Sequence, residues 1–191
     1  RAVETIFARA AAWRRRGFPG ALVTGNNDAD GVAFYLWMRR RCQAAAGRIR
    51  RQLALRGGNA TGVAIASVDS RGEVHPDQFW AHATLGNVRA RSFGAIWTDT
   101  AEPLLAALRA RRRPVGGRCG ECDYLDLCGG GNRARAEALT GDRWAPDPGC
   151  HLTDAEIGAG HGRMPDETLD AAPGGGADDL APRECAPAGP E

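Results

Sequence analysis

Apolar positions recur at helical spacing from the first residues of the chain. Over 4–16, Ile6, Ala10 and Trp13 lie three or four residues apart and Gly17 follows, which predicts a helix with that inward stripe and a glycine cap. Residues 20–25 are a short apolar run between two glycines and predict a strand, broken by a loop at Asn26, Asn27 and Asp28. Helices are predicted over 32–41 and 44–56, the second with Ile49 and Leu53 one turn apart and with Gly57 and Gly58 at its end. Strand, loop and helix in this order predict an α/β fold class, here the tail of a domain with a parallel sheet.

From Thr61 the pattern changes. Small and β-branched residues over 62–68 predict a strand, Asp69 to Gly72 a turn, and Glu73 to His75 the returning strand of a β-hairpin. Ser92 is placed to cap a short helix through Phe93, Ile96 and Trp97. Asp99 or Thr100 is placed to start the next, with Pro103 in its first turn and Leu104, Leu105 and Leu108 as its buried stripe. A further helix is predicted over 132–139, ended by Gly141. Beyond Gly158 the periodicity is lost, and Gly, Pro, Ala and Asp over 160–191 predict a disordered tail.

Charge narrows the function classes. The 191 residues carry a formal net charge of +2, so no strong field draws nucleic acid or an anionic membrane. Every basic residue is Arg, a bias expected of a GC-rich coding sequence, and the runs at 14–16, 39–41 and 111–113 read as solvated helix ends. No run approaches the ~18 apolar residues needed to span a bilayer, and no export signal precedes the first helix. The expected location is therefore cytoplasmic, where clustered cysteines serve metal or redox chemistry rather than disulfides. Because the chain opens on Arg1 with a helix already under way, it is expected to be the C-terminal piece of a longer protein.

Four of the six cysteines fall together as Cys119-x2-Cys122-x5-Cys128-x21-Cys150. A C-x2-C turn points two sulfurs at one centre, and four thiolates complete a site for zinc or for an iron–sulfur cluster. Glycines at 116, 117, 120 and 129–131 allow the backbone angles of a loop that wraps such a centre. Zinc ribbons repeat C-x2-C in both halves, which this spacing does not, and buried free thiols remain the plain structural alternative. Cys185, in the expected tail, reads as incidental, and Cys42 as a small buried residue.

The residues also carry a family likeness. GEVHP at 72–76, LGNVR at 85–89, FGAIW at 93–97 and the run from Cys119 to the glycines after Cys128 resemble the SPASM or twitch domain of radical SAM enzymes, over roughly residues 57–158. TGNNDADG at 24–31, GGNATG at 57–62, VHPDQFW at 74–80 and DRWAPDPGCHLTDAEIG at 142–158 extend the likeness to 4–158 and are similar to the NirJ-type radical SAM proteins of heme d1 biosynthesis.

The resemblance implies the end of a partial (β/α) barrel over 1–56, a small α+β SPASM/twitch domain over 57–158, and a tail over 159–191. It implies one auxiliary [4Fe–4S] cluster on Cys119, Cys122, Cys128 and Cys150. Asp77 and Asn132 stand where two-cluster members of the family carry further cysteines, so a second auxiliary cluster is not expected. No C-x3-C-x2-C triplet occurs, so the cluster that binds S-adenosylmethionine is expected upstream, and this polypeptide alone is expected to be inactive. The implied reaction is hydrogen abstraction by a 5′-deoxyadenosyl radical from propionate side chains of a siroheme-derived tetrapyrrole, with flavodoxin or ferredoxin as electron donor.

Site residues follow from where the motifs fall. Asn26, Asn27 and Asp28, with Asp30, sit past a barrel strand's C-terminal end and are candidates for S-adenosylmethionine or substrate contact, or a capped turn. His75 and Asp77, flanking Pro76, are candidates for substrate contact, as are Arg133 and Arg135 through paired donors to carboxylates; His82 is a weaker one. Trp80, Trp97 and Trp144 read as core or as shielding for the cluster. Two alternatives stay open: a SPASM maturase acting on a peptide, and a zinc-stabilised interaction module without catalysis.

Overall fold

The structure is a computed structural model and describes residues 2–25 and 27–160. Asn26, Cys185 and the expected tail beyond residue 160 lie outside the described residues.

The first helix, α1 (Ala2–Arg15), ends as expected, with Gly17 at φ +79°. Its inward stripe differs from the sequence reading. Phe7 is buried with Val3 and Ala11 packed on the same core, whereas Ile6 and Trp13 stay 40% and 50% exposed. An alanine-rich helix with two apolar stripes buries the one its neighbour can cover. Here that neighbour is α2 (Ala29–Arg39), which closes on Phe7 with Phe34 at 5.1 Å and Trp37 at 5.9 Å between ring centroids.

Residues 20–25 form no strand, and Val23 is 83% exposed. An apolar run becomes a strand only beside another strand, and none pairs with it among the described residues. The α2 helix buries Val32, Ala33, Tyr35, Leu36 and Trp37, and α3 (Gln43–Arg56) stops at Gly57, whose left-handed φ of +68° bonds the last carbonyls.

The hairpin forms, but shorter than expected. Strand β1 is Ser67–Val68, because Gly62 at φ +70° and three amides directed at the Ala60 carbonyl turn 60–65 into a loop. Strand β2 (Glu73–His75) pairs antiparallel with β1, Ser67 opposite His75, and β3 (Gly86–Asn87) joins its other side, Glu73 opposite Asn87. The expected hairpin is thus part of a three-stranded antiparallel sheet, the sheet found among the described residues.

Ser92 caps α4 (Phe93–Trp97) by accepting from the Ala95 amide. The cap of α5 (Pro103–Arg109) is Glu102, not Asp99 or Thr100: its carboxylate takes the Leu105 amide, while Asp99 closes its own turn on the Ala101 amide. Val74, Leu85, Ile96 and Leu105 form a core between sheet and helices.

The cysteine-bearing segment is built from short pieces: α6 (Gly117–Gly120), α7 (Leu125–Cys128), α8 (Arg133–Thr140) and α9 (Asp154–Ile157). Asn132 caps α8, and Thr153 with Glu156 forms a capping box on α9. The largest core joins the two ends of the described chain: Phe7, Val32, Leu36 and Trp37 pack with Cys122, Tyr124, Leu127, Leu152 and Ile157.

Candidate metal centre

Each cysteine is delivered by a different local device. Cys119 sits in the single turn of α6, and the Cys122 amide bonds back to its carbonyl, folding the C-x2-C pair inward. Cys128 ends α7, and Gly129, Gly130 and Gly131 follow with φ of +60°, +81° and +72°. Only glycine fits this reversal: a Cβ on Gly131 would stand 2.2 Å from Asp147 Oδ2, and one on Gly130 would stand 2.9 Å from Val115. Cys150 follows a turn that Asp147 organises by accepting the Gly149 amide at 2.9 Å.

All four thiols line one cavity, together with Ala29, Val32, Leu125, Leu152 and Ile157 from the surrounding elements. One sulfur has a backbone donor in bonding geometry: the Tyr124 amide reaches Cys122 Sγ at 3.3 Å. Among the described residues, no three Cys, His, Asp or Glu side chains are gathered as ligands of a single metal ion.

Burial dominates the thiols' protonation. It pushes Cys122 up to about 11 and Cys128 up to about 12, and raises Cys150, with neighbouring thiols adding to each shift. Backbone amides near the sulfurs work in the opposite direction. A metal that replaced the protons would turn these groups into thiolates at neutral pH, so the donor set fits a soft-ligand centre.

Around the cavity stand two buried cations. Arg133 is 0% exposed, and each of its hydrogen bonds ends on a backbone carbonyl: Gly130, Gly131, Arg143 and Ala145. Arg113 donates to Leu108, Gly129 and Asn59 carbonyls. The run 111–113 is therefore not a solvated helix end throughout, since Arg113 is buried while Arg111 and Arg112 are exposed. Arg135 instead grips Asp147 in a two-pronged pair, both contacts at 2.7 Å, which holds the Asp147 carboxyl below its ordinary range despite burial.

The other candidates lie elsewhere or are engaged. Asn27 donates to the Gly149 carbonyl, Asp28 accepts from Asn59, and Asp30 meets His151 Nε2 at 2.9 Å, so this turn is tied to the loop that bears Cys150. Burial raises the Asp28 carboxyl, against the pull of Asn59 and Arg113. His75 and Asp77 are buried away from the cavity lining: His75 Nδ1 pairs with the Ala83 carbonyl, and Asp77 accepts from the Thr61 hydroxyl and the Phe79 amide. His82, on the surface, shares Glu137 with the indole N–H of Trp80. Trp80 is fully buried, Trp97 stacks on Phe93, and Trp144 packs beside Cys119. The sequence reading missed Asp147 and Arg113; the signal for Asp147 was the Pro-Asp-Pro-Gly turn just before Cys150.

No family model matches the chain. Curated relatives do. Over 160 residues, 83% of this chain and 39% of the relative, it is 48% identical to the pre-heme d1 synthase of Dinoroseobacter shibae. Over another 160-residue alignment, 82% of this chain and 40% of the relative, it is 40% identical to the Fe-coproporphyrin III synthase of Methanosarcina barkeri. An AdoMet-dependent heme synthase of the same organism is 37% identical over 91 residues, 47% of this chain and 24% of that one. By these matches the chain is related to the radical SAM proteins of heme biosynthesis. Within that class it is a relative of the NirJ type. The chain spans about two-fifths of the length of the first two relatives.

Proposed function

We propose that this chain is the auxiliary-cluster part of a radical SAM enzyme of heme d1 biosynthesis, with one [4Fe–4S] centre on Cys119, Cys122, Cys128 and Cys150. The carrying observation is that all four thiols line one cavity. The spacing, with one C-x2-C pair rather than the two of a zinc ribbon, favours an iron–sulfur cluster over a zinc ion. Bound there, the cluster would supply one-electron transfer beside the substrate. The chain's own work is to shape the loop, direct the Tyr124 N–H at the Cys122 sulfur and exclude water with Leu125, Leu152 and Ile157.

The rest of the assignment extends the kinship with pre-heme d1 synthase to this protein. The substrate is a siroheme-derived tetrapyrrole, the reaction removes propionate side chains, and S-adenosylmethionine with its own [4Fe–4S] cluster belongs to sequence upstream of residue 1. A flavodoxin or ferredoxin delivers electrons in the cytoplasm. Arg133 and Arg135, whose donors are taken up inside the loop, are assigned to holding it rather than to the substrate.

Anaerobic purification tests the centre. The expected protein is brown, with broad visible absorption and iron and sulfide in equal amounts; a colourless protein with stoichiometric zinc overturns the reading. Cys122→Ala should abolish the signal of this cluster, and an unchanged iron content would reject the ligand set. The full-length enzyme should remove propionate side chains from the tetrapyrrole in the presence of S-adenosylmethionine, and recovery of the tetrapyrrole with all its propionates would refute the reaction.

A further inference from the structure

The glycine run after Cys128 has its carbonyls and amides sorted. Gly129 turns its carbonyl to Arg113 at 2.9 Å, and Gly130 and Gly131 turn theirs to Arg133. The Gly131 amide turns back to the Cys128 carbonyl at 3.1 Å. Two guanidiniums thus clamp the carbonyl edge of the loop that follows Cys128.

One buried cation lacks a carboxylate bonded to it. Asp147 is paired with Arg135, and the half-buried Asp28 attracts Arg113. That leaves Arg133, with no exposure and no carboxylate among its hydrogen-bond partners. A guanidinium is not deprotonated in proteins, and a buried charge without a bonded counter-charge is costly. The groups whose charge favours Arg133 are the Cys119 and Cys128 thiols and the Asp147 carboxylate, which Arg133 shares with Arg135, the hydrogen-bonded partner of that carboxylate.

We propose that Arg133, supported by Arg113, is a positioning residue that adds fixed positive charge behind the glycine loop of the four-cysteine centre, beside the cavity-lining Arg118 that Asp154 pairs, and raises the centre's reduction potential. This rests on the iron–sulfur reading above. A cluster held by four thiolates carries net negative charge, and adding an electron deepens it. A buried cation beside the sulfurs therefore stabilises the reduced form more than the oxidised one. Charge, hydrogen bonds to sulfur and solvent exposure are the terms that set such potentials.

The test compares Arg133→Met, which keeps bulk and loses charge, with Arg133→Lys, which keeps charge and loses the fork. Both are made in the full-length protein, loaded anaerobically with iron and sulfide, and titrated with dithionite while the reduced auxiliary cluster is followed by electron paramagnetic resonance. Arg133→Met should disfavour reduction at least tenfold, 59 mV for one electron, and Arg133→Lys should recover most of it. Arg113→Met should shift the same way by less, because Asp28 offsets its charge. If Arg133→Met does not hold a cluster, Arg133→Lys decides: a loaded Lys variant near the parent potential supports the charge, and an empty one overturns it. Equal potentials in parent and Met variant also overturn it. A parent protein without iron and sulfide would reject the cluster reading itself, a different failure.

Discussion

Cys122 and Cys128 hold their protons far above the ordinary thiol value of 9.0, at about 11 and about 12, chiefly because burial disfavours the thiolate. In the metal-free protein the folded state then binds more protons than the unfolded state between 9 and those values. Stability is fully present below the ordinary thiol range and is lost as pH climbs through 11 to 12, by up to about 1.4 kcal/mol per pH unit for each thiol. Urea unfolding of the metal-free protein at rising pH should show this decline, and Cys122→Ser should flatten it. An equally steep decline in the Ser variant would assign the alkaline loss to other groups. Loaded protein should behave in the opposite sense, since each thiolate that binds metal releases a proton and higher pH favours loading.

At the scale of elements, the glycine run and the helix caps decide where the cysteines stand. Gly131→Ala forces a side chain into left-handed backbone, about 1–2 kcal/mol, and drives it into Asp147, which would release the Arg135 pair and the turn before Cys150. Gly17→Ala has φ +79° but nothing within 4 Å, so it carries the backbone cost alone. Thermal melts should rank Gly131→Ala well below Gly17→Ala, and only the former should lose iron; equal losses would mean that the Asp147 contact matters little. Much of this scale was legible in the sequence. The caps Ser92 and Gly141, the hairpin turn at Gly72 and the leucines of α5 follow local rules of spacing and backbone freedom. The stripe of α1, the run at 20–25 and Arg113 were not legible, because each depends on what the rest of the fold sets beside it. Arg113 looks like its two exposed neighbours until the Gly129 and Asn59 carbonyls are brought to it.

Across the whole molecule, the metal centre and the helices ahead of it are one packing unit, and the hairpin is another. Cys122, Cys128 and Cys150 belong to the core that includes Phe7, Val32, Leu36 and Trp37, and Asn27, Asp28 and Asp30 tie the start of α2 to Asn59, Gly149 and His151. The sheet packs on Ile96 and Leu105 in a separate cluster that contains no cysteine. A centre that holds three segments together, the Cys119–Cys122 turn, the end of α7 and the turn before Cys150, should therefore stiffen α2 and α3 at a distance, while the hairpin should be indifferent to it. Hydrogen exchange read by mass spectrometry, before and after the centre is stripped with a chelator, separates the two. Amides of α2, α3 and α7 should exchange faster once the metal is gone, because local opening follows the loss of buried contacts. Amides over 67–87 should keep their protection. Loosening of the hairpin to the same degree would mean that the molecule opens as one unit. Unchanged protection in α2 would mean that the thiols are packed well enough without metal to hold the helices themselves.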